Sequence, residues 1–152
     1  MPNNNPNRLR VLVADDDRDT ADSSAVLLRS TGHEVRCAYS GAEALIAAAG
    51  FHPQLAFLDI AMPAMNGYEV ARRIRAAAWG REMVLVAVTG WGRPADKQLA
   101  SDSGFDHHLV KPFDFESLKA LLAQCSGNAG NAGSAGTALS ASPGSPSQQP
   151  PQ

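Results

Sequence analysis

Three consecutive aspartates, Asp15-Asp16-Asp17, a separate Asp59, Thr89 and Lys111 are the residues of this chain whose types could together do chemistry. Each follows directly on an apolar run. Leu9-Arg10-Val11-Leu12-Val13-Ala14 leads into the acids and Leu55-Ala56-Phe57-Leu58 into Asp59. Val84-Leu85-Val86-Ala87-Val88 leads into Thr89, and His107-His108-Leu109-Val110 into Lys111. A carboxylate that closes a buried strand has lost much of its hydration and needs a compensating partner. Carboxylates gathered at one place repel one another, and a divalent cation relieves the conflict. Oxygen donors without histidine or thiolate select magnesium, or manganese, over zinc. A cation, an ammonium and a hydroxyl around one carboxylate suit a transferring phosphoryl group, because that transfer is mostly positioning and charge neutralisation. The carboxylate of Asp59 can itself be the nucleophile, giving an aspartyl phosphate, and an ionised carboxylate needs no general base.

These residues can meet only if the segments between them bring the strand ends together. Helical periodicity fills those segments: Ala21, Ala25 and Leu28 share a face, as do Val70, Ala71, Ile74, Ala77 and Ala78, and Leu118, Leu121, Leu122 and Cys125. Ser40-Gly41-Ala42-Glu43 has the form of a capping box, Asp114 can cap the last helix, and Asp17 reads as a helix-start residue. Gly32, Gly50, Gly80 and Gly104 each follow a periodic segment, where a left-handed residue is expected. The helix before Gly104 has only Ala95 and Leu99 to suggest a buried face. Strand and helix thus alternate, which implies a parallel sheet with right-handed crossovers. The runs near Leu9, Leu55 and Val84 are continuously apolar and belong at the centre; those near Glu34 and His107 carry polar residues and belong at the edges. The expected fold is an α/β, flavodoxin-like doubly wound sheet of five parallel strands in the order 2-1-3-4-5, with five flanking helices. Strands one and three are then neighbours at the switch point, where Asp15 and Asp16 converge on Asp59.

A chain of 152 residues allows one domain with a substantial core. Every charged residue lies between Arg8 and Lys119. The expected organisation is a flexible N-terminus over 1–7, a globular domain over 8–125, and a disordered Gly/Ala/Ser/Pro/Gln-rich tail over 126–152. The net charge of −2 offers no footprint for nucleic acid. Arg72-Arg73-Ile74-Arg75 reads as the wet face of a helix. Cys37 and Cys125 lack metal or redox spacing and read as buried thiols; His33, His52 and His107 read as surface or packing residues, and Met62 and Met65 as space-fillers. No signal peptide or long apolar span is found, so a cytoplasmic protein without membrane contact is expected.

Four motifs in order, Val11-Leu12-Val13-Ala14-Asp15-Asp16-Asp17, Phe57-Leu58-Asp59-Ile60-Ala61-Met62-Pro63-Ala64-Met65-Asn66-Gly67-Tyr68-Glu69, Ala87-Val88-Thr89-Gly90 and Val110-Lys111-Pro112-Phe113, carry a family signature. Over residues 8–125 the chain resembles the receiver domain of two-component response regulators, stand-alone or attached to a hybrid histidine kinase. The resemblance implies that Asp59 accepts phosphate from a phosphohistidine on a histidine kinase or histidine phosphotransfer protein. It implies magnesium held by Asp16, Asp59, the Ala61 carbonyl and, through water, Asp15. Lys111 would bridge Asp59 and a phosphoryl oxygen, and Thr89 would bond the phosphoryl group. His108 would stand at the switch aromatic's position, and Pro112 would follow a cis peptide bond. The readout face would be the fourth helix, fifth strand and fifth helix. Such a module is not an enzyme beyond its own phosphotransfer and slow self-dephosphorylation. Two departures stand out: Trp91 is expected to crowd a hydrolytic water and slow that loss, and His108 could titrate near neutral pH. Two rivals remain at this level. A haloacid-dehalogenase-type phosphatase would carry a second aspartate where Ala61 stands. A receiver-shaped scaffold would never take phosphate.

Overall fold

The computed structural model describes residues 8–90, 94–111 and 113–130. The expectations for residues 1–7, Trp91, Pro112 and residues 131–152 lie outside the described residues. Five parallel strands form one sheet in the order β2-β1-β3-β4-β5: β1 Arg10–Ala14, β2 Glu34–Ala38, β3 Leu55–Asp59, β4 Val84–Thr89 and β5 His107–Val110. Five α-helices alternate with them: α1 Arg18–Ser30, α2 Gly41–Phe51, α3 Gly67–Ala76, α4 Pro94–Ser103 and α5 Phe115–Gly130. The order is the doubly wound one, with β2 and β5 at the edges. All five residues of the central β3 are buried, as expected of a strand covered on both faces. The core gathers Leu12, Ala56, Leu58, Val70, Ile74 and Leu85, all fully buried. Each such leucine or isoleucine contributes about 2 kcal/mol of apolar burial.

The compact unit Met1–Phe113 holds the sheet, and Asp114 onward forms a second unit. In that second unit Asp114 accepts the Ser117 N–H at 2.8 Å and so caps α5, whose Leu118, Leu121, Leu122 and Cys125 are buried. The boundary read at residue 125 falls inside α5, which continues to Gly130. An established helix gains one hydrogen bond per added residue, so small residues can prolong it.

The N-terminal capping signals are realised with one variation, and two of the four glycine stops, Gly50 and Gly80, are not left-handed caps. Asp17 caps α1 by accepting from the Asp19 and Thr20 N–H groups. Ser40 accepts the Glu43 N–H, while Glu43 reaches back to the Tyr39 N–H, one residue beyond the usual partner. Gly32 and Gly104 are left-handed, with φ of 96° and 108°. Gly50 instead lies inside α2, whose left-handed cap is His52 at φ 51°. Gly80 closes a 3₁₀ turn, Ala78–Gly80, where a Cβ would collide with the Ile74 carbonyl. The third helix therefore stops at Ala76, and Ala78 is exposed rather than part of its buried face. Among the described side chains of α4, Ala100 and Ser103 are buried, while Leu99 is 45% exposed. Of the two apolar signals for that helix Leu99 faces solvent and the side chain of Ala95 lies outside the described ones; the buried Ser103 satisfies its hydroxyl locally, donating to the Leu99 carbonyl at 2.8 Å.

Candidate functional site

Parallel register places the site. Ala14 stands beside Leu58, Asp59 beside Val88, and Thr89 beside Val110, so the residues just past each strand emerge at one end of the sheet. Backbone bonds tie these ends together: Asp15 N–H to the Ala38 carbonyl at 3.0 Å, Ile60 N–H to Val88 at 3.0 Å, and Lys111 N–H to Thr89 at 2.7 Å. Asp15, Asp59 and Thr89 are buried and Asp16 is exposed.

One carboxylate oxygen from each of Asp15, Asp16 and Asp59 lies within 4.8 Å of the others. Lys111 Nζ donates to Asp15 Oδ2 at 2.9 Å and stands 3.5 Å from Asp59 Oδ1. The ammonium therefore sits closer to Asp15 than to the acid that resemblance makes its main partner. Asp15 is doubly engaged, because its Oδ1 accepts the Asp17 N–H at 2.9 Å. Asp59 Oδ1 also accepts the Ala61 N–H at 3.3 Å. Burial and the charge of Asp15 push the Asp59 carboxyl up to about 6, against the pull of Lys111 and of the Ala61 hydrogen bond. Burial pulls the Lys111 ammonium down, but its bond to Asp15 and the charge of Asp59 outweigh that, and its pKa is raised.

The acid cluster therefore carries more negative charge than its one ammonium offsets. Three carboxylate oxygens within 4.8 Å of one another, from an all-oxygen donor set with Asp15 and Asp59 buried, fit a hard divalent cation. Asp15, Asp16 and Asp59 could hold such an ion. Of the remaining expected residues, Thr89 is buried at the end of β4 and Ala61 is exposed just after β3. His108 is half-buried in β5, lowered from its ordinary pKa by burial and by Lys97, with Asp96 opposing. Beside Lys111 an open groove of about 360 Å³ is lined by Asp19, Thr20, Ser23, Ser24, Leu27 and Phe113. Neither this groove nor the left-handed Ala64 in the turn after β3 is visible in residue types. Periodicity could have marked the groove, since Thr20, Ser24 and Leu27 share the solvent face of α1.

The comparisons agree with this geometry. A family model described as the response regulator receiver domain matches residues 11–123. The response regulator MprA of Mycobacterium avium is 35% identical over 112 residues, which are 74% of this chain. The chain spans about half of that regulator, 48% of its length. The chemotaxis protein CheY4 of Vibrio cholerae matches with a TM-score of 0.75 and 29% identity, over 78% of this chain and 98% of that one. The receiver domain of the sensor histidine kinase PA1611 from Pseudomonas aeruginosa, solved with magnesium coordinated in its active-site cleft, matches with a TM-score of 0.73 and 26% identity. It covers 79% of this chain and 98% of its own. A family match over residues 11–123, on a sheet whose strand ends gather Asp15, Asp16 and Asp59, means that the chain belongs to the response regulator receiver domains, the phosphoacceptor signalling modules of two-component systems.

Proposed function

We propose that Asp59 is the phosphoacceptor and that the donor is a phosphohistidine on a histidine kinase or histidine phosphotransfer protein. The buried Asp59 carboxylate, raised to about 6 and flanked by Lys111 and two further acids, carries this reading. An Asp59 oxygen attacks phosphorus, the P–N bond breaks, and its electron pair leaves with the imidazole, which takes a proton from water. Asp16 and Asp59, with the Ala61 carbonyl, would hold magnesium or manganese, and Asp15 would reach it through water, since both Asp15 oxygens already accept protein hydrogen bonds. When bound, the cation neutralises charge on the transferring group. Lys111 moves from its acid partners to a phosphoryl oxygen, and the Thr89 hydroxyl binds another. The new charge, close to −2, favours an arrangement with Thr89 and His108 drawn inward. Of the expected readout face, α4 and β5 contribute the exposed Leu99 and Val110.

The groove beside Lys111 supports a protein donor. Its lining combines apolar Leu27 and Phe113 with the hydroxyls of Thr20, Ser23 and Ser24, and exposed Asp16, Asp17 and Asp19 lie at the start of α1. A donor with basic residues around its histidine would complement it. The net charge of −2 supports a role without direct nucleic-acid binding. Among the described residues no helix is long and apolar enough to cross a membrane, and Cys37 and Cys125, neither of them in a disulfide, fit a reducing, cytoplasmic setting. The activity is that of a signalling module on its own side chain, not turnover of an external substrate.

Acetyl phosphate with magnesium tests the reading directly. The wild type should gain one acid-stable, base-labile phosphoryl group, mapped to Asp59. EDTA or Asp59→Asn should abolish it. Labelling that survives Asp59→Asn, or turnover of small phosphate esters, would refute the assignment.

A further inference from the structure

The turn between β3 and α3 holds one residue in a conformation that L side chains avoid. Ala64 has φ 68°, and the Met65 N–H donates to the Pro63 carbonyl at 2.7 Å, closing a three-residue γ-turn around it. A γ-turn with positive φ is rare and strained. Alanine has neither the freedom of glycine nor the short polar side chain that lets asparagine bond locally there. Such a conformation persists only where the surroundings over-determine it.

Two helix starts do so here. Gly41 opens α2, and a Cβ on it would stand 2.6 Å from the Met65 carbonyl oxygen and 2.8 Å from Met65 Cβ. Gly67 opens α3, where a Cβ would stand 2.7 Å from the Asp59 carbonyl oxygen. The Gly67 N–H also donates to the Ile60 carbonyl at 3.1 Å. The loop from Asp59 to Gly67 is thus closed on itself through Ile60 and braced against α2 at Met65. The start of α2 is in turn held by Ser40 and Glu43.

We propose that Gly41, packed against the Met65 end of the strained turn although far from it in the chain, is a positioning residue for Asp59, acting through the Ala64 turn. The inference rests on Asp59 being the phosphoacceptor. A methyl group at position 41 makes the Met65 carbonyl retreat from 2.6 Å to the 3.4 Å of ordinary contact, a shift of roughly 0.8 Å. Given an escape, Ala64 leaves its left-handed conformation and the loop no longer holds the Asp59–Ala61 backbone in place. Misplacement by about 1 Å costs roughly 100-fold in rate.

The test compares the full chain with Gly41→Ala, Ala64→Val, Gly50→Ala and the double variant Gly41→Ala/Ala64→Gly. The readouts are initial labelling by acetyl phosphate with magnesium, the urea midpoint, and amide spectra of the metal-free protein. Gly41→Ala and Ala64→Val should slow labelling by about 10- to 100-fold and shift the Ile60 and Ala61 amides. Gly50 has open space around it, so Gly50→Ala in the same helix should label at the wild-type rate. Adding Ala64→Gly should restore most of the rate lost in Gly41→Ala, because glycine keeps the turn without strain. Ala64 is exposed, so its valine variant carries the test even if Gly41→Ala fails to fold. A labelled wild type with both Gly41→Ala and Ala64→Val at its rate overturns the inference alone. So does a loss that only tracks the urea midpoint and ignores Ala64→Gly. An unlabelled wild type refutes the phosphoacceptor reading and this inference with it.

Discussion

At the carboxyl ends of β1 and β3 three carboxylates crowd beside one ammonium; at the amino ends of β4 and β5 one guanidinium is shared among four carbonyls and a carboxylate. Arg75 donates to Gly104, Gly80, Arg81 and Met83 carbonyls at 2.6–3.1 Å and to Asp106 at 2.7 Å. Asp106 in turn accepts the Leu85 N–H at 2.9 Å. Donors and acceptors balance at this end, and the cluster stitches α3, the 3₁₀ turn, β4 and the entry to β5. At the other end negative charge is left over. A balanced network is scaffold, and an unbalanced one keeps capacity for a cation and a phosphoryl group.

Removing the excess is the sharpest way to test the contrast. Asp59→Asn should lose all labelling and yet gain stability in EDTA, where no cation offsets the acids. Raising a buried carboxyl from 3.8 to about 6 means that its ionised form at pH 7 destabilises the fold by up to about 3 kcal/mol. A gain of roughly 1–3 kcal/mol in urea unfolding is expected, and a loss would show that Asp59 is well compensated by Lys111 alone.

The opposite response is expected at the scaffold end. Arg75→Ala strands several carbonyls and the Asp106 carboxylate, at a cost of about 3 kcal/mol, since water can reach part of the cluster. Arg75→Lys should recover little, because a single ammonium cannot reproduce the planar fork. Below the unfolding midpoint the labelling rate of Arg75→Ala should stay within about twofold of wild type. A tenfold fall in rate would mean that the two ends are coupled.

The contrast also marks what can be read from residue order. The unbalanced end was legible because each of its members closes an apolar run, and parallel alternation forces strand ends together. The edge assignments of β2 and β5 followed from their polar residues in the same way. The balanced end was not legible. Arg75 reads as one more base beside Arg72 and Arg73, which do lie exposed and pair with Glu69. Its role depends on where three turns pass, and backbone carbonyls carry no residue-type signal. The left-handed Ala64 was hidden for the same reason, and the left-handed cap of α2 fell on His52 rather than Gly50 because helix ends shift by a residue or two with packing.

The amino-terminal end of the sheet should also be the acid-sensitive one, by a smaller margin. The Leu9 N–H donates to His33 Nδ1 at 3.0 Å, so the folded ring accepts a hydrogen bond that a proton on that nitrogen would replace. Burial holds His33 below its ordinary 6.5, and burial does the same to His107 against the charge of Asp106. In the unfolded chain these rings bind a proton near pH 6.5, whereas the folded rings resist it. Above that pH they contribute no dependence; as pH falls from 6.5 toward the folded values, the unfolded state binds more protons and stability is lost. The slope is bounded at about 1.4 kcal/mol per pH unit for each ring. His33→Gln keeps an acceptor for Leu9 without a titrating group, so its urea stability should fall less than that of wild type between pH 7 and pH 5. Parallel profiles would remove His33 from the argument. Combining His33→Gln with Asp59→Asn sharpens the comparison further. If the sheet's two ends are independent, the stability changes at pH 7 add within about 0.5 kcal/mol, and a larger discrepancy would mean that charge at one end is felt at the other through the strands between them.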